Sequence, residues 1–142
     1  MSTQLNPYLS FRGQAREAMT FYQSVLGGQL DVTTYGDMGG FEQMGITASE
    51  ADNVMHSSLG VSDSVQLMGS DVPAHMEGDF SNGRISLSGD DEATLRRWFD
   101  ALADGGTVHV PLEKAPWGDS FGDLTDRYGV GWMVNVAGGG PA

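Results

Sequence analysis

Cysteine is absent from this chain of 142 residues. Its absence excludes disulfides, thiolate metal sites and a cysteine nucleophile. It also fits a reducing compartment, and we expect a cytoplasmic protein. No apolar run approaches the ~20 residues that a membrane-spanning helix needs. The first residues, Met1 to Asn6, are polar, so we expect no signal peptide.

Basic residues are also scarce. Seven Lys and Arg stand against 19 Asp and Glu, which gives a formal net charge of -12. A chain with this charge repels polyphosphates and anionic lipids, so we expect neither nucleic acid nor a membrane as a partner. We interpret the acidity as a source of solubility.

Apolar periodicity predicts an α+β fold with two amphipathic helices among short strands. The first helix is predicted at about 15–26 and ends at Gly27-Gly28, where we expect a left-handed cap. The second is predicted at about 91–103, with Asp90 or Asp91 as its N-cap. The predicted strands are 7–11, 29–35, 53–61, 64–68, 84–88, 107–112, 121–125 and 131–136, with hairpin turns at Ser62-Asp63 and Arg127-Tyr128-Gly129.

The two halves of the chain look like copies of one βαβββ unit. The segment FYQSVLGG at 21–28 aligns with WFDALADG at 98–105, an offset of 77 residues. A strand precedes each copy and a β-rich stretch follows it. We therefore predict a single domain over 1–142, with module one at about 5–71 and module two at about 83–137. A linker is predicted at 72–82, and the connection 36–52 is long enough to be functional or mobile.

This architecture predicts a pocket, because one helix covers only one face of a four-stranded sheet. We expect the two modules to form a curved, cup-like mixed sheet with the helices on the outer face. Alternation along the strands gathers side chains on one face of each strand. They are His56 and Ser58, Gln66 and Met68, Met133 and Asn135, and Arg84, Ser86 and Ser88. These residues either line the cup or face bulk solvent.

A long motif from Trp117 to Asn135 carries a family resemblance, WG-x-x-FG-x-x-x-D-x-YGV-x-WMVN. Together with the helix motif at 21–28, VMH at 54–56 and VQLMGSD at 65–71, it resembles the PhnB-like branch of the vicinal oxygen chelate superfamily. That superfamily includes the glyoxalase and bleomycin-resistance proteins. The resemblance covers nearly the whole chain and implies paired βαβββ modules in a homodimer. It does not fix the activity, because the superfamily includes isomerases, dioxygenases, thiol transferases and drug-sequestering proteins.

Some members of the superfamily hold a divalent metal with His and Glu side chains from the sheet. By the resemblance, the corresponding positions are roughly Pro7, Gln66, Arg84 and Asn135. None is His, Asp or Glu, although divalent ions prefer imidazole nitrogen and carboxylate oxygen. We therefore expect this metal site to be lost and predict no cofactor.

The histidines, His56, His75 and His109, lack the spacing of a metal site. His56 is the best single candidate for a catalytic residue, because similar PhnB-like sequences carry His at this position. In that role it would be a general base towards a carbonyl substrate. The alternative is a structural hydrogen bond that fixes the connection 36–52.

Three aromatic residues also have two interpretations. Trp117, Phe121 and Trp132 either cover a hydrophobic ligand or seal the core or a dimer contact.

The sequence predicts a protein that binds a small amphipathic molecule in the cup without a metal. The predicted ligand-binding residues are His56, Gln66, Met68, Arg84, Trp117, Phe121 and Asn135. The alternative is a divalent-metal-dependent lyase, isomerase or dioxygenase of the glyoxalase type. Such an enzyme needs several metal donors, for which Glu42, His56 and Glu113 are the candidate sources. Whether the protein is an enzyme at all stays open.

Overall fold

The computed structural model of the chain describes residues 5–76 and 82–138. Strands and helices alternate within these ranges, which confirms the predicted α+β class. The strands are β1 Tyr8–Phe11, β2 Gln29–Thr34, β3 Val54–Ser62, β4 Val65–Asp71, β5 Arg84–Gly89, β6 Thr107–Lys114, β7 Ser120–Thr125 and β8 Gly131–Val136. The helices are α1 Ala15–Leu26, α2 Tyr35–Met38 and α3 Glu92–Ala103, with 3-10 turns at Phe41–Met44 and Ala48–Glu50.

The chain divides into two compact units, Met1–Asn82 and Gly83–Ala142. The first holds a four-stranded sheet in the order β1-β4-β3-β2, and the second holds one in the order β5-β8-β7-β6. In each sheet the first strand of the unit runs parallel to the last one, and the other pairs are antiparallel. Because strand order and direction are the same in both sheets, the two units share one βαβββ topology, as the internal repeat predicts. The helices α1 and α3 are each 12 residues long.

The core of the first unit lies between α1 and one face of its sheet. The buried residues of α1 recur every three or four positions, so they form one stripe. They are Ala15, Ala18, Met19, Tyr22 and Leu26. The stripe packs against β3 and β4, whose Leu59 and Leu67 are also buried.

The second unit is built in the same way around α3. Leu95, Phe99 and Leu102 are the buried residues of this helix. Trp132 of β8 is buried as well, and its Nε1 donates to Asp126 Oδ2 at 2.8 Å. Of the two interpretations offered for the aromatic residues, Trp132 therefore seals the core.

The helix ends differ in detail from the predictions. Gly27 has the expected positive φ of 80°, but its ψ of -166° is extended rather than left-handed helical. The reason is that the chain turns directly into β2 two residues later. At the start of α3, Asp91 is the N-cap, and its side chain accepts from the backbone N–H of Thr94.

Two connections also need correction. The turn between β3 and β4 lies at Asp63-Ser64, one residue later than predicted, because Ser62 still pairs with Val65. The connection after β2 is not plain loop, since it holds α2 and both 3-10 turns. The predicted linker 72–82 falls partly outside the described residues.

Candidate functional site

We define the open face of each sheet as the side that points away from its helix. In β4, Leu67, Gly69 and Asp71 are buried on the helix side. The alternating Gln66 and Met68 are half-buried, so they lie on the open face. Both are predicted ligand-binding residues.

The neighbouring strand β3 continues this face. Ser58 pairs with Met68, and His56 pairs with Thr33 of β2. His56 and Ser58 are half-buried, whereas Ser57 and Leu59 between and beyond them are buried. The predicted alternation is therefore correct for these residues. Met55 falls at a register shift of β3 against β2.

Tyr8 is a site residue that sequence reasoning missed. It begins β1 and pairs with Met68, and it is 46% exposed. Its hydroxyl oxygen lies 3.0 Å from His56 Nδ1, and the two rings stack with centroids 5.7 Å apart. The signal was present in the sequence, because apolar Leu9 and Phe11 leave Tyr8 on the opposite face.

The structural hydrogen bond expected for His56 has a different partner from the one predicted. Its Nδ1 bonds Tyr8 and not the connection 36–52. That connection is held instead by Glu50, whose carboxylate accepts from the backbone N–H groups of Ala74 at 2.9 Å and Thr47 at 3.2 Å. His75 packs over Gly45, and His109 Nε2 lies 2.8 Å from Thr125 Oγ1.

The open face of the second sheet carries Arg84, Phe121 and Asn135. Arg84 forms an ion pair with Asp123 across the face. Asn135 pairs with Phe121 in register, and its Nδ2 donates to Asp119 Oδ2 at 3.0 Å. The pKa of Asp119 is lowered by this hydrogen bond and by a second one from the backbone N–H of Gly138. Asp119 and Asp123 are thus partners that sequence reasoning did not name.

Trp117 stands beside Phe121 in the turn before β7. The ring centroids are 6.2 Å apart, and the planes are tilted by 59°. Because Trp117 is 65% exposed, it does not seal a core within the described residues of this unit. The remaining interpretations for this residue are a ligand cover and a contact with another chain.

A surface cleft of ≈ 400 Å³ lies elsewhere, on the helix side of the first sheet. Arg16, Asp52 and Asp71 are among its lining residues, and no predicted site residue is. Both oxygens of Asp71 already accept backbone hydrogen bonds, from Ala15 and Val54. The cleft therefore offers no unused buried carboxylate.

Comparison with known proteins identifies the family. The profile of the Glyoxalase/Bleomycin resistance protein/Dioxygenase superfamily matches residues 4–134. This chain belongs to that superfamily. Protein YjdN of Escherichia coli (strain K12) is 30% identical to this chain in an alignment that covers 93% of this chain and 94% of YjdN.

Two solved structures, one of them a PhnB protein, are similar to nearly the whole of this chain. Protein PA1353 from Pseudomonas aeruginosa is 40% identical and superposes with a TM-score of 0.83, over 96% of this chain and 99% of that one. The PhnB protein from Bacillus cereus is 26% identical, with a TM-score of 0.71 over 95% and 100% of the two chains. The resemblance seen in the sequence is thereby confirmed.

The described residues do not fit the divalent metal that some members of the superfamily use. Pro7 is exposed just before β1, Gln66 has only an amide, and Arg84 is a cation. Glu42 and Glu113 are exposed. Over 5–76 and 82–138, no group of three or more His, Cys, Asp or Glu is arranged to hold an ion.

None of the described helices has the length and apolar character to cross a membrane.

Proposed function

We propose that this protein binds a small amphipathic organic molecule on the open faces of its sheets, without a metal ion. The observation that carries the proposal is the mixed chemistry of the first open face. Tyr8 and Met68 offer apolar surface, while His56, Ser58 and Gln66 offer hydrogen-bonding groups. Ligand sites combine these features, because apolar walls supply affinity and a few polar groups fix the orientation.

The second open face supports the same chemistry. Phe121 and the exposed Trp117 form an aromatic surface beside the amide of Asn135. Asp123 compensates the charge of Arg84, so this face does not require an anionic ligand. A ligand with a flat apolar body and one or two polar atoms suits both faces.

The side chains at the positions of the family's metal ligands support ligand binding without a metal ion. Amide oxygens such as those of Gln66 and Asn135 are weak ligands, and the Arg84 guanidinium repels a cation. The metal-dependent lyase, isomerase or dioxygenase remains the competing hypothesis, and the following experiment separates the two.

The test combines metal analysis with thermal unfolding of the purified, untagged protein. We expect no stoichiometric metal and no rise in melting temperature with Ni²⁺, Zn²⁺, Mn²⁺ or Fe²⁺. We expect some members of a library of small aryl and alkyl ketones, alcohols and amides to raise it, because a ligand at about 100 times its Kd adds about 2.7 kcal/mol to the free energy of unfolding. Stoichiometric metal with a large stabilisation would overturn the proposal and favour the metalloenzyme.

A matched pair of variants locates the binding face. Met68→Glu places a charge on the first open face, so it should abolish the stabilisation by every ligand found. Met76→Glu makes the same change at an exposed methionine outside the strands and should leave the stabilisation unchanged. Equal effects of the two variants would contradict binding on this face.

We also propose that the protein is a homodimer, as the family resemblance implies. Exposed apolar side chains support this, since Val108 and Val110 of β6 are each 42% exposed. Sedimentation velocity at micromolar concentration should give the mass of two chains, and a single monomer species would refute the dimer.

A cytoplasmic location is proposed from the absence of cysteine and can be checked by cell fractionation.

A further inference from the structure

The contact between Tyr8 and His56 determines what His56 can offer to a ligand. The 3.0 Å bond uses Nδ1 of the imidazole and the phenol oxygen. A neutral imidazole carries one proton, so one nitrogen donates and the other accepts. A phenol O–H is a stronger acid than the N–H of a neutral imidazole, so the favourable arrangement has Tyr8 donating to Nδ1. The proton of the ring then lies on Nε2.

We propose that Tyr8 holds His56 as the Nε2–H tautomer, which donates a hydrogen bond to a carbonyl oxygen of the ligand. In this arrangement neutral His56 has no unused lone pair, because Nδ1 accepts from Tyr8 and Nε2 carries the proton. It therefore recognises an acceptor and does not serve as a general base. Tyr8 is the positioning residue, and the inference rests on the proposed binding function.

The surroundings of His56 fit a donor that contacts a neutral ligand. Thr33 and Ser58, its neighbours on the open face, are uncharged. Asp31 lies on the same face, opposite Ser58. Among the described residues, the Asp31 carboxylate forms no hydrogen bond with His56. The Tyr8 ring and Met68 supply apolar surface next to the donor. An aryl or alkyl ketone, with one oxygen acceptor on an apolar body, matches this arrangement.

The tautomer can be measured without any ligand. Long-range ¹H–¹⁵N correlation spectra of the imidazole rings distinguish the two neutral forms, and His75 and His109 serve as internal references. At a slightly alkaline pH we expect His56 to be the Nε2–H form. In Tyr8→Phe the Nδ1 resonance should move to the position of a nitrogen without a hydrogen bond. A wild-type spectrum of the Nδ1–H form would overturn the proposal, because His56 would then donate to Tyr8 and keep a basic Nε2.

Recognition is tested with two fluorinated probes, 4′-fluoroacetophenone and 1-ethyl-4-fluorobenzene, which lacks the oxygen. Titrations followed by ¹⁹F NMR should show tighter binding of the ketone. His56→Ala should weaken the binding of the ketone by about three- to tenfold, the effect expected from one lost hydrogen bond. The affinity for the hydrocarbon should stay nearly unchanged. Tyr8→Phe should cause a smaller loss for the ketone. His75→Ala is the matched control and should change neither.

These experiments distinguish a failure of the donor role of His56 from a failure of the proposed binding function. If both probes bind equally well and His56→Ala has no effect on either, the binding function stands and the donor role of His56 is wrong. If His56 is the Nε2–H form but neither probe binds, the recognition of ketones is overturned, whereas the proposed binding function is decided separately by the library screen and the metal analysis.

Discussion

At the scale of single residues, a buried carboxylate joins the elements of each unit. Asp71 is 2% exposed, and its two oxygens accept from the backbone N–H groups of Ala15 and Val54, each at 2.9 Å. These bonds tie the end of β4 to the starts of α1 and β3. Asp126 plays the corresponding part in the second unit, where it accepts from the backbone N–H groups of Tyr128 and Val130 and from the Trp132 indole. Both residues are structural.

Replacement of Asp71 by asparagine should lower the free energy of unfolding by about 1.5–3 kcal/mol. The amide nitrogen cannot accept a hydrogen bond, so one buried backbone N–H loses its partner. Urea unfolding measures the change, and Asp52→Asn, at an exposed position, is the control that should stay close to wild type. A similar stability for both variants would show that the Asp71 bonds contribute little.

Glu50 makes part of the folding stability dependent on pH. The hydrogen bonds from the backbone N–H groups of Ala74 and Thr47 lower the pKa of Glu50 below its ordinary value of 4.5. A carboxyl whose pKa is depressed by folding stabilises the fold above its unfolded value, and this contribution is lost as the pH falls through the folded value.

Glu50→Gln should therefore be less stable than wild type near neutral pH, because the amide nitrogen cannot accept the second bond. The difference should shrink as the pH falls below about 4.5, where wild type loses the same contribution. Urea unfolding at several pH values measures this. Glu42→Gln removes an exposed charge from the same connection and should show no such convergence. A constant difference for Glu50→Gln down to low pH would contradict the assignment.

At the scale of elements, a glycine lies beneath each long helix. A Cβ on Gly69 would lie 3.3 Å from Met19 Sδ, and one on Gly122 would lie 2.7 Å from Phe99 Cε2. Helices of 12 residues are marginal on their own, so α1 and α3 depend on this close packing against the sheet. The glycines allow the approach.

Gly122→Ala should lower the free energy of unfolding by about 1–3 kcal/mol, because the added methyl group overpacks the contact with Phe99 and Leu112. Gly60→Ala is the control, since a Cβ there meets nothing within 4 Å. It should be neutral or slightly stabilising. Equal effects in urea unfolding would mean that α3 shifts to accept the methyl group.

Helices and strands with strong apolar periodicity were predicted well, whereas the connections between them were not. The bounds of α1 agree with the prediction, and α3 begins one residue later. The turn after β3 and the structure within 36–52 were missed in detail. Apolar spacing marks the middle of an element, whereas its ends depend on which backbone groups find a partner.

At the scale of the whole molecule, acidic charge is poorly compensated. Seven basic residues stand against 19 acidic ones. The net charge of -12 therefore acts mainly as self-repulsion of the folded chain.

Raising NaCl from 20 to 300 mM should raise the melting temperature by about 2–5 °C, because salt screens repulsion between surface charges. Differential scanning calorimetry measures the shift. A variant that replaces the exposed Asp63, Asp90 and Asp100 by asparagine is the control, and it should respond less to salt. A melting temperature that stays level or falls with salt would show that repulsion is unimportant.

The sequence by itself determined the class, the repeat and the exposed side of the strands, because hydrophobic spacing and alternation are local properties of the chain. Only the tertiary structure decided which side chains meet. Tyr8 and His56 lie 48 positions apart, and strand register brings their rings together. Asp123 and Asp119 likewise reach Arg84 and Asn135 only through the pairing of β5, β7 and β8. Register arises from hydrogen bonds between distant segments, and a shift of one residue would turn these side chains to the opposite face.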